Sequence, residues 1–274
     1  MFSEKKSHIM SIIMVITVLV IIVLSLNYSS KKELGKPYFI QFNSYVASQI
    51  NTYYTLDFVF FIDKNKENII TSNNIERVEF SDINNAQIEK YEFKNGSVAK
   101  KYKIITLSIT TKFTKAEKDT LKKLNIIFKN GEVKRYPVGN WIFDVSNGLF
   151  KDTDINIGNG YRVMTGKLDK YFLSLNNISD KAIRLEKLII NLDGIKYDFI
   201  PTTVNAYKSF YKEIDLYVKS NICNDNLFFF IRPRIEYSKE GVIYSYFPYG
   251  VNFGLLNIND SIIDLEVGKA INAE

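Results

Sequence analysis

Histidine and cysteine are nearly absent from this 274-residue chain, which contains one of each. The histidine, His8, precedes every segment that is able to fold into a pocket, which argues against His-dependent catalysis and His-based zinc sites. Cys223 has no second cysteine to pair with and no histidine to activate it, so an intramolecular disulfide is excluded and thiol catalysis is disfavoured. Proline is also scarce, with five residues against 46% hydrophobic residues, which excludes a mainly disordered chain.

Motifs that bind nucleotides or carry hydrolytic chemistry are also missing. The sequence has no P-loop, no G-x-G-x-x-G, no G-x-S-x-G and no H-E-x-x-H pattern, so we predict no bound cofactor. The net charge is +6, and +5 when Lys5, Lys6 and Glu4 of the first eight residues are left out. Because the lysines and arginines are spread without a dense run, the charge argues against a nucleic-acid ligand and favours anionic lipid or wall polymer.

One long apolar run is present near the start, at residues 9–26. These eighteen residues contain no charge, proline or glycine. A helix of about 20 residues crosses the hydrocarbon core of a bilayer, so the run predicts a single transmembrane helix that contacts the lipid bilayer. A cleaved secretory signal is the alternative, but the run is long for a signal core and Leu26-Asn27-Tyr28-Ser29 is not a typical cleavage site.

The segments around this run predict a simple membrane topology. Residues 1–8 form a short tail and residues 27–37 a polar tether, with nearly equal numbers of lysines on the two sides. The positive-inside rule therefore gives only weak support for an orientation. A large folded part after a short tail is usually exported, which predicts a C-terminal part outside the cytoplasm at the cell membrane.

The rest of the chain resembles itself at an offset of about 110 residues. Residues 102–109 match 211–218 as Y-K-x-I-x-L-x-(I/V), residues 136–139 match 247–250 around Pro-x-Gly, and residues 90–93 match 196–199. Three matches in the same order at nearly constant spacing predict a tandem duplication.

Each copy has apolar residues at alternate positions, which is typical of strands with one buried face. Six to eight such strands in about 110 residues predict an all-β fold with two tandem immunoglobulin-like β-sandwich domains, at 38–148 and 163–274, joined by a linker at 149–162. The Cys and Trp hallmarks of antibody domains are absent. The excess of Lys, Asn and Ile suggests a bacterial origin.

Local signals predict three turns and one helix within this pattern. Asn130-Gly131, Asp193-Gly194 and Lys239-Glu240-Gly241 are typical of hairpin turns. Thr114-Lys115-Ala116-Glu117 fits a capping box, which predicts one or two helical turns over 118–124.

The junction of the two copies contains the most distinctive polar segment. Asp152, Asp154 and Asn156 alternate along it, and their oxygens are ligands that Ca²⁺ prefers. We therefore predict a calcium site at Asp152, Asp154 and Asn156, with an ordinary linker turn as the alternative.

Aromatic residues are concentrated late in the second copy. We predict a binding surface that includes Phe228, Phe230, Tyr244, Tyr246 and Tyr249, because exposed aromatic platforms bind sugars or peptides. The alternative is a core: residues 227–231 are continuously apolar, as in a strand that is buried on both faces where the two domains or a partner pack.

These observations predict a membrane-anchored, non-enzymatic protein with an accessory or protein-binding role in a bacterial cell-envelope complex. A carbohydrate or wall-polymer binding module is the second hypothesis, carried by the late aromatics. A hydrolase with paired carboxylates is the third, because the arrangement of Asp and Glu in space is invisible in the sequence.

Overall fold

The computed structural model describes residues 36–151, 153–219 and 228–273, and residues 36–274 group as one compact unit. The first half contains eight strands: β1 Tyr38–Phe39, β2 Phe42–Gln49, β3 Tyr53–Asp63, β4 Ile75–Phe80, β5 Ala86–Val98, β6 Tyr102–Phe113, β7 Lys118–Phe128 and β8 Val133–Ser146. They form two sheets, in the orders β1-β3-β6-β5 and β2-β8-β7-β4. The parallel pairing of β2 with β8 and this strand order are those of an immunoglobulin-like sandwich.

The second half repeats this arrangement with shorter strands. They are β9 Ile155–Ile157, β10 Met164–Thr165, β11 Lys170–Asn177, β12 Ile183–Ile189, β13 Ile195–Tyr197, β14 Thr202–Val204, β15 Ser209–Val218, β16 Phe229–Arg232, β17 Arg234–Lys239, β18 Val242–Tyr246 and β19 Val251–Phe253. One sheet has the order β9-β11-β15-β13 and another β14-β12-β17-β18. A 3₁₀ turn at Leu255–Asn257 and helix α1 at Asp260–Ala273 follow.

The predicted tandem repeat is confirmed by strand position. The matched segments 102–109 and 211–218 lie in β6 and β15, which are the inner strands of equivalent sheets. The segments at 90–93 and 196–199 fall on or beside β5 and β13, the outer neighbours of those strands. The Pro-x-Gly segments mark an irregularity near the end of each copy, in the first half of β8 and between β18 and β19.

The two halves share a seven-stranded sheet, in the order β10-β19-β16-β2-β8-β7-β4. Strand β2 lies at its centre, parallel to β8 over eight residue pairs and parallel to β16 over four. The core of the second half also includes Tyr45, Ala47 and Ile142 of the first. The domain limits 38–148 and 163–274 stay a prediction, since the repeats are joined through backbone hydrogen bonds and a common core.

The sheets of the first half are held together by aromatic side chains. Trp141 of β8 lies with its ring centre 4.8 Å from Phe58 of β3 and 5.4 Å from Phe42 of β2. Phe113 of β6 meets Phe143 of β8 edge to face at 5.8 Å. Each such pair contributes about 0.5–1.5 kcal/mol beyond the area it buries, so alternate apolar residues of facing strands stabilise the sandwich.

Two of the local predictions are wrong. Residues 118–124 belong to β7 and not to a helix, because this segment pairs with β8 on one side and β4 on the other. Asp193-Gly194 does not close a hairpin, since β12 and β13 lie in different sheets. The turns at Gly131 and Gly241 are confirmed, and both glycines have the positive φ that such turns require.

Helix α1 was not predicted, although the sequence contains its signals. The Asn259 side chain accepts a hydrogen bond from the amide of Ile262 at 3.1 Å, as an N-cap residue does. Ile263 and Val267 are buried and lie four residues apart on one helix face.

Helix α1 docks on the turn between β5 and β6 of the first half. The Asp260 carboxylate accepts hydrogen bonds from the amides of Lys100 and Lys101, each at 3.2 Å. Asp264 accepts bonds from Lys101 Nζ and from the Tyr102 hydroxyl, each at 2.6 Å. Burial acts to raise the pKa of Asp264, but these two donors outweigh it and hold the pKa below its ordinary value.

We expect Gly139→Ala to destabilise the protein more than Gly131→Ala. Both glycines have a positive φ, of 94° and 83°, so each substitution strains the backbone by about 1–2 kcal/mol. A Cβ at Gly139 would also overlap the backbone of Phe42, whereas at Gly131 it meets nothing within 4 Å. Urea unfolding of the two variants measures the difference, and equal losses would contradict the close approach of β8 and β2.

We expect Asp264→Asn to weaken the docking of helix α1. The substitution removes a carboxylate that is stabilised by Lys101 and Tyr102, so hydrogen-exchange protection of residues 262–268 falls severalfold at pH 7. Glu240→Gln, which removes one charge from an exposed turn, is the control. Because the pKa of Asp264 is lowered in the folded state, the wild type keeps this stabilisation above the ordinary carboxyl pKa of 3.8. It loses the stabilisation as the pH falls through the lowered pKa.

Candidate functional site

Three of the five aromatic residues predicted to form a binding surface are buried: Phe228, Phe230 and Tyr246. The Phe228 ring lies 5.9 Å from the Phe42 ring, and the Phe230 ring lies 5.6 Å from the Trp141 ring. For these three residues the prediction is corrected: Phe230 lies in β16, which is paired on both edges and fully buried, Phe228 directly precedes that strand, and Tyr246 is buried at the end of β18. The alternative interpretation, a strand buried where the two halves pack, describes Phe228 and Phe230.

The other two predicted aromatics are more accessible. Tyr244 is half-buried and stacks on Tyr237 at 5.5 Å. Tyr249 is 57% exposed and meets the Tyr161 ring edge to face at 6.2 Å. The tyrosines at 244, 246 and 249 therefore do not form one flat exposed row, and a binding role stays a prediction for Tyr249 and Tyr244.

A buried arginine joins the two halves at this point. Arg232 is 9% exposed and lies at the end of β16, beside β2. Its Nη1 donates to the carbonyl of Ala47 at 3.0 Å and to the Ser48 hydroxyl at 3.1 Å, and its Nε donates to the carbonyl of Pro248 at 3.1 Å. The guanidinium thus binds the first half and the segment between β18 and β19 of the second half at the same time.

The guanidinium is held without an ion pair to any of the described carboxylates. Its carbon lies 4.0 Å from the centre of the Tyr54 ring, a cation–π contact, and 5.8 Å from that of Phe247. The Tyr54 hydroxyl in turn accepts a hydrogen bond from the amide of Gly250 at 2.9 Å. Burial lowers the pKa of Arg232, but arginine starts so high that the side chain stays charged.

A second polar contact ties the halves together nearby. The Tyr45 hydroxyl of β2 donates to the Asp144 carboxylate of β8 at 2.7 Å. Asn191 of the second half donates to the same Asp144 oxygen at 3.2 Å. Burial and the hydrogen bond to Asp144 raise the pKa of Tyr45, which keeps its hydroxyl protonated as a donor.

The residues of the predicted calcium site are engaged in other contacts where the structure describes them. Asp154 is buried, and its carboxylate accepts bonds from Lys239 Nζ at 2.8 Å and from the Tyr237 hydroxyl at 3.3 Å. Asn156 is exposed, and its side-chain oxygen accepts a bond from Asn176 at 3.0 Å. Asp152 lies outside the described residues, as does Cys223. Calcium binding therefore stays a prediction, and the described residues contain no cluster of three or more His, Cys, Asp or Glu that could hold a metal.

The glutamates that line two surface grooves are paired with donors. A groove of about 730 Å³ between β4 and β5 contains Glu79, bound to Arg77 at 2.7 Å, and Glu89, bound to Gln87 at 3.0 Å. In a second groove, hydrogen bonds from Lys170 and Tyr211 lower the pKa of Glu213. The general acid of a glycosidase needs a raised pKa, whereas the pKa of Glu213 is lowered.

An exposed apolar strip follows the edge strand β18, which ends the sheet β14-β12-β17-β18. We define this strip by Leu149, Phe150 and Ile243; Val242, the neighbour of Ile243 in β18, lies on the opposite face of the sheet. The Leu149 carbonyl accepts a hydrogen bond from the amide of Ser245 at 2.7 Å, which places the segment before β9 along β18. Leu149 is 60% exposed and Ile243 58% exposed, although both are large aliphatic side chains. Grouped exposed apolar residues mark interaction surfaces.

Sequence reasoning missed the residues that form the junction. Arg232 interrupts an otherwise apolar run and is followed by Pro233, and a charge in such a run is the signal that it must find buried partners. The partners Tyr54 and Ala47 are about 180 residues away in the chain, and no local pattern links them. The strip was missed because Leu149 and Phe150 fall in a segment that was interpreted only as a linker.

The predicted transmembrane helix at 9–26 lies outside the described residues. Within residues 36–151, 153–219 and 228–273, no helix combines the length and the hydropathy needed to cross a bilayer.

Comparisons with known proteins give no family for the chain. No family model and no curated protein matches it. Among solved structures, a protein of unknown function from Porphyromonas gingivalis is 10% identical, covers 80% of this chain and 96% of its own, and has a TM-score of 0.26. Titin tandem immunoglobulin domains match at 8% identity over 79% of this chain and 95% of theirs, with a TM-score of 0.22.

A third match, the tandem immunoglobulin repeats of Dlar, is 9% identical over 80% of this chain and 96% of its own, with a TM-score of 0.23. TM-scores below 0.5 do not establish a common overall arrangement. The immunoglobulin-like assignment therefore rests on the strand order and pairing of the chain itself.

We expect Arg232→Met to lower the free energy of unfolding by about 2–4 kcal/mol, because the carbonyls of Ala47 and Pro248 lose a buried donor. Arg184→Met is the control, since Arg184 is exposed and forms a surface ion pair with Glu186, and we expect it to change stability by less than about 0.5 kcal/mol. Urea unfolding measures both variants. A loss for Arg232→Met as small as that of the control would show that the guanidinium does not hold the halves together.

Proposed function

We propose that this chain is a single-pass membrane protein whose joined sandwiches face outward and bind a protein partner, as an accessory or assembly component of a bacterial cell-envelope complex. The apolar run at 9–26 supports the anchor, with the chain spanning the bilayer once. In this proposal the joined sandwiches bind the partner and do not catalyse a reaction.

The apolar strip along β18 is the observation that carries the proposal. Its side chains project from strand β18 and from the segment bridged to it, whose backbones are already fixed by hydrogen bonds, so a partner would bind them with little further loss of conformational entropy. Behind the strip, the Phe150 ring lies 6.0 Å from the Phe247 ring, and Phe247 neighbours Arg232. The strip is therefore continuous with the packing that joins the halves, and it suits a protein partner with an apolar surface.

Binding of an anionic wall polymer or carbohydrate is the second candidate function. It is favoured by a different observation, a groove that contains unpaired cations on the outer face of the second half. The late aromatics give it little support, because Phe228, Phe230 and Tyr246 are buried.

We expect a stoichiometric partner to copurify with the full-length chain after mild crosslinking in its own membrane. Leu149→Asp combined with Ile243→Asp should abolish copurification, because charges cannot be buried in an apolar contact. Val98→Asp combined with Val133→Asp is the matched control, since these valines are equally exposed in the first half. Mass spectrometry of the crosslinked species measures the partner.

Two results would contradict the proposal. One is isolation of the wild-type chain without a partner, and the other is retention of the partner by the Leu149→Asp, Ile243→Asp variant at the level of the control. Extraction of membranes with alkaline carbonate and protease digestion of intact cells test the anchor and the outward orientation separately.

A further inference from the structure

A groove of about 410 Å³ lies on the outer face of the sheet β9-β11-β15-β13, beside the segment that crosses from the first repeat to the second. Its charged lining residues are Arg162, Lys167, Asp169, Lys170 and Glu213, and Phe172 forms its apolar part. The groove is separate from the strip on β18 and does not depend on the proposed protein partner.

Arg162 is held in place by an aromatic ring. Its guanidinium carbon lies 4.0 Å from the centre of the Phe172 ring, so the planar group rests on the ring face. No described carboxylate forms an ion pair with Arg162. A guanidinium that is fixed by its face keeps its N–H edges available for an anion, and less rotamer entropy is lost when that anion binds.

Some of the neighbouring charged groups are paired with one another and others are not. Lys170 Nζ binds the Glu213 carboxylate at 2.7 Å, and the Tyr211 hydroxyl donates to the same carboxylate at 3.2 Å. These three groups neutralise and fix one another. Lys167 forms no ion pair with the described residues, and Asp169 forms none either, so the groove contains two unpaired cations and one unpaired carboxylate.

A tyrosine ring lies beside these charges. Tyr211 is 49% exposed, and its hydroxyl is fixed by the bond to Glu213. The chain crosses close to this ring at Gly160, where a Cβ would come within 2.9 Å of a ring carbon. The crossing segment therefore lies close to this tyrosine, which presents a partly exposed ring next to Glu213 and Arg162.

We infer that this groove binds a sugar polymer that carries anionic groups, with carboxylate or phosphate on Arg162 and Lys167 and the sugar ring against Tyr211. Charge complementarity supports the anion, since the two unpaired cations outnumber the one unpaired carboxylate. Asp169 and Glu213 provide acceptors for sugar hydroxyls, which a bare polyanion does not need. The combination of aromatic ring, acceptor and fixed guanidinium distinguishes such a polymer from a simple ion.

Binding is tested with the full-length chain in detergent and immobilised polymers of three kinds. Polygalacturonate presents carboxylates on sugar rings, phosphomannan presents phosphates, and mannan is neutral. We expect the wild type to bind one of the two anionic polymers at least about tenfold more tightly than mannan. Which of the two binds more tightly identifies the anionic group.

Three groove variants and one control variant assign the binding to the groove. Arg162→Ala with Lys167→Ala should weaken binding at least about tenfold, whereas Lys122→Ala with Lys123→Ala, which removes the same charge from exposed positions of β7, should not. Tyr211→Ala should weaken binding to the anionic polymer. If the loss of Arg162 disturbs folding, Lys167→Glu repeats the charge test at an exposed position.

The inference is overturned if the wild type binds neither anionic polymer more tightly than mannan. It is also overturned if the groove and control variants lose affinity equally, or if Tyr211→Ala changes nothing, because each result would reduce the binding to nonspecific charge attraction. Loss of the protein partner in the crosslinking experiment leaves this result unaffected, so the two proposals fail separately.

Discussion

A guanidinium removed from water is the constraint on which this architecture depends. Arg232 is buried without a described carboxylate beside it, so its charge is compensated by backbone carbonyls, a hydroxyl and the face of an aromatic ring. Those groups come from both repeats, and they exist together only when the repeats are packed in one arrangement. The cost of leaving the guanidinium or its acceptors unpaired therefore selects a single relative placement of the two halves.

The repeat and the all-β fold could be predicted from the sequence because both leave local marks. Alternating apolar residues identified strands such as β6, and the offset of about 110 residues identified the duplication. The pairing that joins the repeats left no such mark: the apolar run at 227–231 indicated a strand buried on both faces, but nothing in β2, half of whose residues are polar, indicated that it is the partner. Their pairing depends on which strand edges remain free after each sandwich has closed, and that is a property of the three-dimensional topology.

The candidate site also divides into a part that local sequence patterns indicate and a part that depends on the three-dimensional topology. Aromatic residues late in the chain attracted a functional interpretation, yet Phe228 and Phe230 are buried because a continuous apolar run is what a fully covered strand requires. The groove at Arg162 and Lys167 was not found because its residues come from a supposed linker, from residues 165–172 before and within β11, and from β15. Isolated charges in three segments have no recognisable spacing, although pairing of the strands brings them together.

The central position of strand β2 has a consequence for how the chain folds during synthesis. Asn43 pairs with Phe229 and Val46 with Arg232, so one edge of β2 has no partner until some 185 further residues have been made. During that time an apolar strand has a free hydrogen-bonding edge, which is the feature that leads to intermolecular strand pairing. Because contacts of such long sequence separation form slowly, the first repeat is the part of this protein that is most exposed to aggregation before the second repeat arrives.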